Sequence, residues 1–345
     1  MTATLLVAGA AAANAAPIVV VGPHASIQRA IDAVGPGGTV VVKPGTYAEH
    51  LVITKTVNLV GWGAVLVPPP GDAPSSPCSG PDPNTDGICI AGALTLATDG
   101  SVIVNSYVQD VRITGLTITG FGGSGIDQIG GSGSAFLGNR LAGNDEYGIA
   151  AFDSTGTTEL FNFASGSGEA GFYIGDSPRA NATLFANASV DNLFGIFVRD
   201  AEHGQIGGNT VHDNCLGVLF LADAPGPDGA FTVARNSISD NTKACPGSAD
   251  ENLPPLSGIG VLIDGAHDVV LNNNLIVHNV PSGDTFASGG VGVVTGDGGT
   301  APVNNVVQRN AILKNSVDIL WDGNGTGNVL QPNWCQTSQP GGLCH

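Results

Sequence analysis

A six-residue pattern that repeats along the chain constrains the fold more than any other feature. It begins with Asn, closes with a second Asn after four intervening residues, and occurs seven times, once with Ser in the closing position. Asn hydrogen-bonds the backbone, tolerates left-handed dihedrals and can pair with an Asn stacked above it. The copies occupy residues 139–144, 162–167, 187–192, 209–214, 236–241, 274–279 and 310–315. We therefore interpret these Asn as structural residues of stacked turns, not as catalytic residues.

Each hexapeptide is followed by a short apolar stretch, led by Gly in most copies, that ends in Asp. These are Asp153, Asp176, Asp200, Asp223, Asp264, Asp297 and Asp322, and the first four are 23, 24 and 23 residues apart. Such a period accommodates three short strands and three turns, and strands this short bury their apolar side only by stacking on neighbouring repeats. The pattern predicts an all-β fold, a single-stranded parallel β-helix solenoid with coils about 4.8 Å apart.

We predict one domain over residues 17–345. Residues 17–45 form its N-terminal cap, coils follow to about residue 330, and residues 331–345 form a tail. Ser26 is a suitable N-cap for a short amphipathic helix that covers the open end of the core. The apolar face of this predicted helix consists of Ile27, Ala30, Ile31 and Val34.

The charge of the chain excludes several partners. Eleven Lys and Arg face 29 Asp and Glu, a formal net charge of −18. A phosphate backbone would be repelled, so we expect no nucleic acid partner. Anionic polysaccharides are disfavoured too, unless basic residues cluster or Ca²⁺ bridges carboxylates.

No segment after the N-terminus reaches the ~18 apolar residues of a membrane span. No cofactor or metal motif is evident, although the many carboxylates leave Ca²⁺ as a candidate.

The N-terminus and the cysteines point to export. Residues 1–16, MTATLLVAGAAAANAA, resemble a signal peptide that ends in small residues, although no Lys or Arg precedes the apolar run. The alternative is a disordered Ala-rich leader. Six cysteines in an exported chain favour disulfides, so we expect a secreted or cell-envelope protein. The predicted pairs are Cys78 with Cys89, Cys215 with Cys245, and Cys335 with Cys344.

The segment SIQRAIDAVGPGGTVVVKPGTYAEHLVITKTVNLVG and the Asn-rich coils resemble the pectin-lyase-like right-handed β-helix superfamily, in particular its sugar-hydrolase and NosD-type repeat proteins. The resemblance covers nearly all of residues 20–330. It implies a right-handed helix whose ligands lie along the exposed sheet that the first strand of each coil forms. The superfamily includes enzymes and non-catalytic binding proteins. The adjacent-Asp and G-H-G signatures of its polygalacturonase-like hydrolases and the D-P-H-D signature of its alginate epimerases are absent.

We assign the Gly-led stretch to that exposed strand. Strand alternation directs Ile149, Phe172, Ile174, Ile196, Val198, Val218 and Phe220 inward, and Ala150, Phe152, Tyr173, Phe197, Arg199, Leu219 and Leu221 outward. Phe152, Tyr173 and Phe197 are predicted to stack on sugar rings, with Asp264 as a further substrate-binding residue. A loop of the same chain or a second subunit could equally cover this apolar stripe, so three interpretations stay open.

Asp176, Arg199, Asp200 and Asp223 are the predicted catalytic residues. Neighbouring coils bring carboxylates within about 5 Å, as in retaining glycosidases. An Arg beside paired acids can hold one ionised while the other keeps its proton. The competing interpretation is that these Asp only form turns and that the Arg belongs to a surface ion pair. The inserted loops 242–257 and 280–289 are expected to wall a groove beside Asp223 and Asp264.

Together these features favour an exported carbohydrate-active protein that processes a glycan, by hydrolase or lyase chemistry, in a groove on the exposed sheet. The alternative is a non-catalytic ligand-binding or cell-envelope module of NosD type. The expected partner is a glycan or another small extracellular ligand, and the apolar sheet face would also suit a homo-oligomer.

Overall fold

The computed structural model describes residues 17–71, 75–78, 86–98, 100–223, 226–249 and 253–344. The predicted leader at residues 1–16 and the side chain of Asp297 lie outside the described residues. The chain winds into a right-handed parallel β-helix in which a full coil contributes a short strand to each of three sheets. We call the sheet of the Gly-led stretches the front sheet; the second and third sheets follow it along each coil.

The strands of each sheet pair in parallel with those of the neighbouring coils. The front sheet contains Leu51–Ile53, Ile88–Ala91, Ile126–Ile129, Ile149–Phe152, Ala170–Ser177, Phe194–Gly207, Leu216–Leu221, Ile259–Asp264, Gly289–Val294, Ile319–Trp321 and Ser338–Gln339. The second contains Ile18–Val21, Gly38–Val42, Val57–Val60, Arg112–Thr114, Ala135–Leu137, Thr158–Leu160, Ala182–Phe185, the end of Phe194–Gly207, Gly229–Ala234, Val270–Asn272 and Val306–Gln308. The third contains Gly45–Ala48, Ala64–Val67, Thr117–Thr119, Arg140–Ala142, Phe163–Ser165, Ala188–Val190, Thr210–His212, Ser237–Ser239, Leu275–Val277 and Ala311–Leu313.

Two small features stand outside these sheets. An antiparallel hairpin, Ala93–Leu96 with Val102–Ser106, is inserted after a front strand, and Val108–Gln109 pairs with Gly131–Ser132. The hairpin has no counterpart in the repeat pattern, and its position beside the front sheet makes it a wall of the site described below.

The core is one continuous column of stacked side chains. In the front sheet, Ile149, Phe172 and Ile196 pair in register along the axis. All seven side chains predicted to point inward are at most 2 % exposed, which confirms the alternation. Glu159 is an unexpected member of this core. Burial raises the pKa of its carboxyl well above the usual range, so the apolar interior favours its neutral form.

Amide side chains form two columns, one at each end of the third-sheet strands. The backbone N–H and Nδ2 of Asn209 both donate to Oδ1 of Asn236, at 2.9 and 3.0 Å, and Nδ2 also donates to the Leu184 carbonyl at 3.0 Å. Ser167, the one closing residue that is not Asn, continues its column through a backbone N–H that donates to Asn192. The columns are Asn139, Asn162, Asn187, Asn209, Asn236, Asn274, Asn310 and Asn333, and Asn144, Ser167, Asn192, Asn214, Asn241, Asn279 and Asn315. The predicted structural role of the hexapeptide Asn is therefore confirmed.

The predicted capping helix runs from Ile27 to Ala33. The Ser26 hydroxyl accepts the backbone N–H of Arg29 at 3.2 Å, and the predicted apolar face is buried. Glu49, on the following coil, adds a carboxylate that accepts the N–H groups of Ile27 and Gln28 at 2.8 and 3.1 Å. In the described part of the chain, neither this helix nor the short 3₁₀ turn Asp297–Gly299 has the length to cross a membrane.

Replacing Asn236 by Ala is expected to destabilise the protein by roughly 2–4 kcal/mol, because Asn209 loses a buried acceptor and the Ile206 carbonyl loses its side-chain donor. The control is Asn272→Ala, whose partly exposed side chain accepts from its neighbour Asn273 and from no other donor among the described residues. Urea unfolding of both variants measures the difference. Equal free energies of unfolding in the two variants would contradict the structural role of the column.

Candidate functional site

The outward side chains of the front sheet form a second apolar cluster and not an open face. Tyr173, Phe197 and Leu219 are only 1 %, 7 % and 5 % exposed. The aromatic rings of this cluster pack on one another. The ring centroids of Tyr173 and Phe197 are 5.1 Å apart, and those of Tyr173 and Tyr147 are 4.7 Å apart. The stripe is thus apolar and aromatic, as the sequence indicates, but it is covered.

Part of the cover is the inserted loop 242–257. Leu253 and Leu256 pack on the cluster, and the backbones of Cys245 and Leu256 exchange two hydrogen bonds of 2.9 and 3.0 Å that fold the loop back on itself. Loop cover, one of the three open interpretations, is therefore the observed one. The prediction that Tyr173 offers a ring face to sugars is wrong, because this cover and the neighbouring turns bury it. The same cover removes the open apolar face on which the expected subunit contact depended.

All three predicted disulfides are present. They join Cys78 to Cys89, Cys215 to Cys245 and Cys335 to Cys344, with Cα separations of 5.7, 6.0 and 5.2 Å. Because Cys215 directly follows a column Asn, the middle disulfide attaches the base of the cover loop to the most regular part of the scaffold.

A cavity of about 890 Å³ lies between the cover loop and the front sheet, and we call it the covered cavity. Arg199, Asp223, Asp264 and Phe197 line it, and both inserted loops contribute to its wall. The loops therefore occupy the positions that their place in the repeat predicts.

A second cavity, of about 630 Å³, lies over earlier coils, and we call it the acidic cleft. Phe152 lies in its wall, and the inserted hairpin contributes Ser101 and Val102. Its acidic lining consists of Asp127, Glu146, Asp153, Asp176 and Asp200. Glu146 lines both cavities, so the acidic cleft and the covered cavity adjoin.

Asp153, Asp176 and Asp200 occupy equivalent turn positions in three successive coils. Each has a left-handed backbone, with φ of 45°, 50° and 48°, and the residues that precede them pair in register. The coil before them has Gly130 here, with φ of 69°. A turn of this kind needs a residue that tolerates positive φ, and Gly or Asn would serve as well as Asp. Turn formation therefore explains the backbone of this column but not its carboxylates.

Asp223 and Asp264 do not continue this column. Arg199 pairs with Leu221, and Leu221 pairs with Asp264, so Asp264 lies at the position of Arg199 and Asp223 lies two residues past Leu221. The single row of Asp expected from the spacing is wrong from its fourth member onward. The cause is local, because residues 217–223 hold one more residue between Gly and Asp than the preceding copies do.

Asp200 is the most unusual acid of the site. It is 2 % exposed, and both carboxylate oxygens are buried without a hydrogen-bond donor among the described residues. Burial raises the pKa of this carboxyl to about 7, and the neighbouring Asp223 adds to the rise. The neighbouring carboxyl of Asp223 disfavours a second negative charge beside it, so burial and this neighbour both favour a protonated Asp200.

Arg199 connects the two cavities electrostatically. Its Nε and Nη2 donate to Oδ1 and Oδ2 of Asp223 at 3.0 and 2.8 Å, a two-point contact. Burial raises the pKa of Asp176, and the positive charge of Arg199 opposes this rise. The ring of Tyr173 lies over Gly175, where a side chain would collide with it, and its hydroxyl interacts with Arg199. All four predicted catalytic residues thus belong to one interacting group.

Asp86 and Asp127 are the strongest candidates for binding a cation. Oxygens of both carboxylates and the Sγ of Cys78 lie within 4.8 Å of one another. The sulfur is already bonded to Cys89 and offers no thiolate. Burial raises the pKa of Asp86 to about 6 and that of Asp127 well above its usual range, and the charge of Asp86 adds to the rise at Asp127. Two carboxylates fall short of the six to eight oxygens that Ca²⁺ takes, so bound Ca²⁺ stays a prediction.

Sequence reasoning missed two parts of the acidic cleft. Asp127 interrupts the apolar stretch GIDQIG, and a carboxylate at an outward position of a Gly-led strand was a usable signal. The hairpin over residues 93–106 gives no signal in the Asn pattern, because it is an insertion outside the repeat.

The profile of the right handed beta helix region matches residues 83–227 and 162–334. The chain belongs to the right-handed β-helix family. No curated protein matches this β-helix.

Several solved structures resemble this chain over most of its length. The A-module of the Azotobacter vinelandii mannuronan C-5 epimerase AlgE4 is 20% identical over 90% of this chain and 94% of that one, with a TM-score of 0.59. A Yersinia enterocolitica family 28 exopolygalacturonase is 15% identical over 92% and 73%, with a TM-score of 0.52. The DFA-IIIase of Arthrobacter chlorophenolicus A6 without its lid is 13% identical over 90% and 91%, with a TM-score of 0.54. These likenesses show the fold.

Replacing both Cys215 and Cys245 by Ser is expected to loosen the cover loop and expose the apolar cluster, because loss of a native disulfide typically costs about 2–5 kcal/mol. The variant should bind more ANS and be cleaved faster within residues 242–257. The matched control replaces Cys335 and Cys344, which close the C-terminal tail away from the cluster. Equal dye binding by the two variants would contradict the cover function of the loop.

Proposed function

We propose that this protein is an exported enzyme that hydrolyses glycosidic bonds in the acidic cleft, with Asp200 as the general acid. One observation carries the proposal: a buried carboxyl whose pKa is raised to about 7 lines a cavity together with further carboxylates. A general acid must hold its proton near the working pH and release it in the reaction. A glycosidase needs one carboxyl that is protonated and a neighbouring one that is ionised, so the pKa values of the two acids must differ.

Asp176 is the proposed nucleophile. It lies one coil step, about 4.8 Å, from Asp200, and retaining glycosidases place their two carboxyls about 5–5.5 Å apart. Asp200 gives its proton to the glycosidic oxygen while the Asp176 carboxylate attacks the anomeric carbon and the leaving group departs. Water then displaces Asp176 from that carbon, and Asp200 takes the proton of the water. Arg199 supports the nucleophile role, because its charge favours the ionised form of Asp176.

Charge and relatives support the class of substrate. Five carboxylates line the cleft, so an uncharged stretch of glycan suits it better than an anionic one. The similar solved structures include an exopolygalacturonase and a mannuronan epimerase, both of which act on polysaccharides by name. Since the G-H-G and D-P-H-D signatures are absent here, the proposal takes no catalytic residue from them. The three disulfides and the Ala-rich leader support export.

Asp200→Asn is expected to lower kcat on a responsive oligosaccharide by roughly 10²-fold or more while KM changes little, because general acid catalysis contributes about 10²–10⁴-fold. In the wild type, kcat/KM should fall as pH rises through about 7, since Asp200 then loses its proton. The control is Asp110→Asn, an exposed turn residue with φ of 50° that lines neither cavity. A screen of uncharged oligosaccharides supplies the substrate, and ¹H NMR of the first product should show a retained anomeric configuration.

Unchanged turnover in Asp200→Asn would remove this residue from the acid role. Inversion at the anomeric carbon would shift the second role from Asp176 to Asp153, two coil steps from Asp200. Saturable binding of a glycan without turnover in the wild type would instead favour the binding-module alternative.

A further inference from the structure

Exposed aromatic side chains follow the corner between the second and third sheets, which lies opposite the front sheet. Trp62, Phe161 and Phe185 are 64 %, 63 % and 48 % exposed, and we call this row the aromatic ridge. The aromatic ridge follows this corner over five coil steps, from Gly61 to Gly208, a length of about 24 Å. Large rings grouped on a rigid surface commonly mark a binding site, whereas scattered ones do not.

Two residues of the ridge, Trp62 and Phe185, present ring faces and not ring edges. A β-carbon at Gly115 would lie 2.7, 2.9 and 3.0 Å from three atoms of the Trp62 indole, and one at Gly138 would lie 3.6 Å from it. The indole therefore lies flat on two glycine steps. The Phe185 ring similarly covers Gly208, with three ring atoms 3.3 to 3.8 Å from the place of a β-carbon. Since one face of each of these two rings rests on backbone, the other face is available for stacking.

The charge of this corner is opposite to that of the chain. None of the ten described strands of the third sheet contains Asp or Glu. The turn residues that stack along the corner from Gly115 onward are Gly115, Gly138, Phe161, Ala186, Gly208, Arg235, Asn273 and Arg309. Four arginines, Arg112, Arg140, Arg235 and Arg309, are exposed on this side, and none pairs with a described carboxylate. In a chain of net charge −18, this segregation favours an anionic ligand.

We propose that the aromatic ridge binds a carboxylate-bearing polysaccharide chain, at a site separate from the acidic cleft. The rings stack on sugar faces along the helix axis, and the arginines bind carboxylates. The Arg140 guanidinium lies 4.4 Å from the centre of the Phe163 ring, so stacking orients its planar fork beside the ridge. Arg112 and Arg140 lie on the two coils between Trp62 and Phe161, and Arg235 and Arg309 continue this basic corner farther along the axis, so an anionic chain that runs along the helix can contact several of them.

Binding of polygalacturonate at low ionic strength, followed by affinity electrophoresis and calorimetry, tests this proposal. Trp62→Ala, Phe161→Ala and Arg140→Gln should each weaken binding roughly fivefold or more, as expected for losing a stacking or charged contact of about 1 kcal/mol. Ala186 occupies the position of Phe161 in the next coil with φ of 54°, so this backbone accepts Ala. The matched control is Tyr107→Ala, an exposed aromatic residue (45 %) that lies beside Val108–Gln109 on a different corner of the helix and should bind as the wild type does.

Added salt should weaken binding to polygalacturonate, and uncharged dextran should bind less tightly. Asp200→Asn should bind as the wild type does, so a failure of the proposed catalysis leaves this test unaffected. Equal affinities of the wild type and the three ridge variants would overturn the proposal. It would also be overturned if Trp62→Ala abolished a dimer seen by light scattering or binding to phosphatidylglycerol vesicles while leaving polygalacturonate binding intact.

Discussion

The hydrogen bonds between stacked Asn side chains are the interaction on which the rest of this structure depends. Most of the amide oxygens accept from the backbone and the side chain of the Asn one coil before, as Asn236 does from Asn209. The bond does not depend on how much chain separates the partners. Asn241 and Asn279 are 38 residues apart in the sequence, and Asn192 and Asn214 are 22 residues apart, yet both pairs form the same bond from Nδ2 to Oδ1. The columns therefore fix the register of the strands while loops of different length leave the scaffold.

A fixed register turns a pattern in sequence into columns in space, and both proposed sites are such columns. At the corner after the front strand, three turns that need a left-handed backbone use Asp, which places carboxyls one coil step apart. At the corner opposite the front sheet, the turns use Gly, aromatic residues and Arg. The repeat thus separates an acidic cleft from a basic aromatic surface on one rigid body. The proposed functions differ because the residues that occupy equivalent turns differ.

Much of the fold could be read from the sequence because it follows from local periodicity. The hexapeptide Asn, the inward residues of the front strands, the cap at Ser26 and the three disulfides all depend on short spacings. The failures depend on distant or irregular features. Tyr173 is buried partly by Leu253 and Leu256, about eighty residues later in the chain, and no local pattern shows where that loop lies. One extra residue before Asp223 moves it out of the column, which only the observed register reveals. The four catalytic candidates do interact, but the proton on Asp200 follows from burial that spacing alone does not measure.

The protonation state of Asp200 connects the scaffold to the proposed chemistry, so it is the quantity to measure. Titration of ¹³C-labelled aspartate carboxyls by NMR, with the Asp200 signal assigned from its loss in Asp200→Asn, follows this group directly in the folded protein. The account predicts a carboxyl pKa of about 7. A pKa near the value of about 3.9 that is ordinary for an exposed Asp would contradict it, because the acidic cleft would then lack its proton donor.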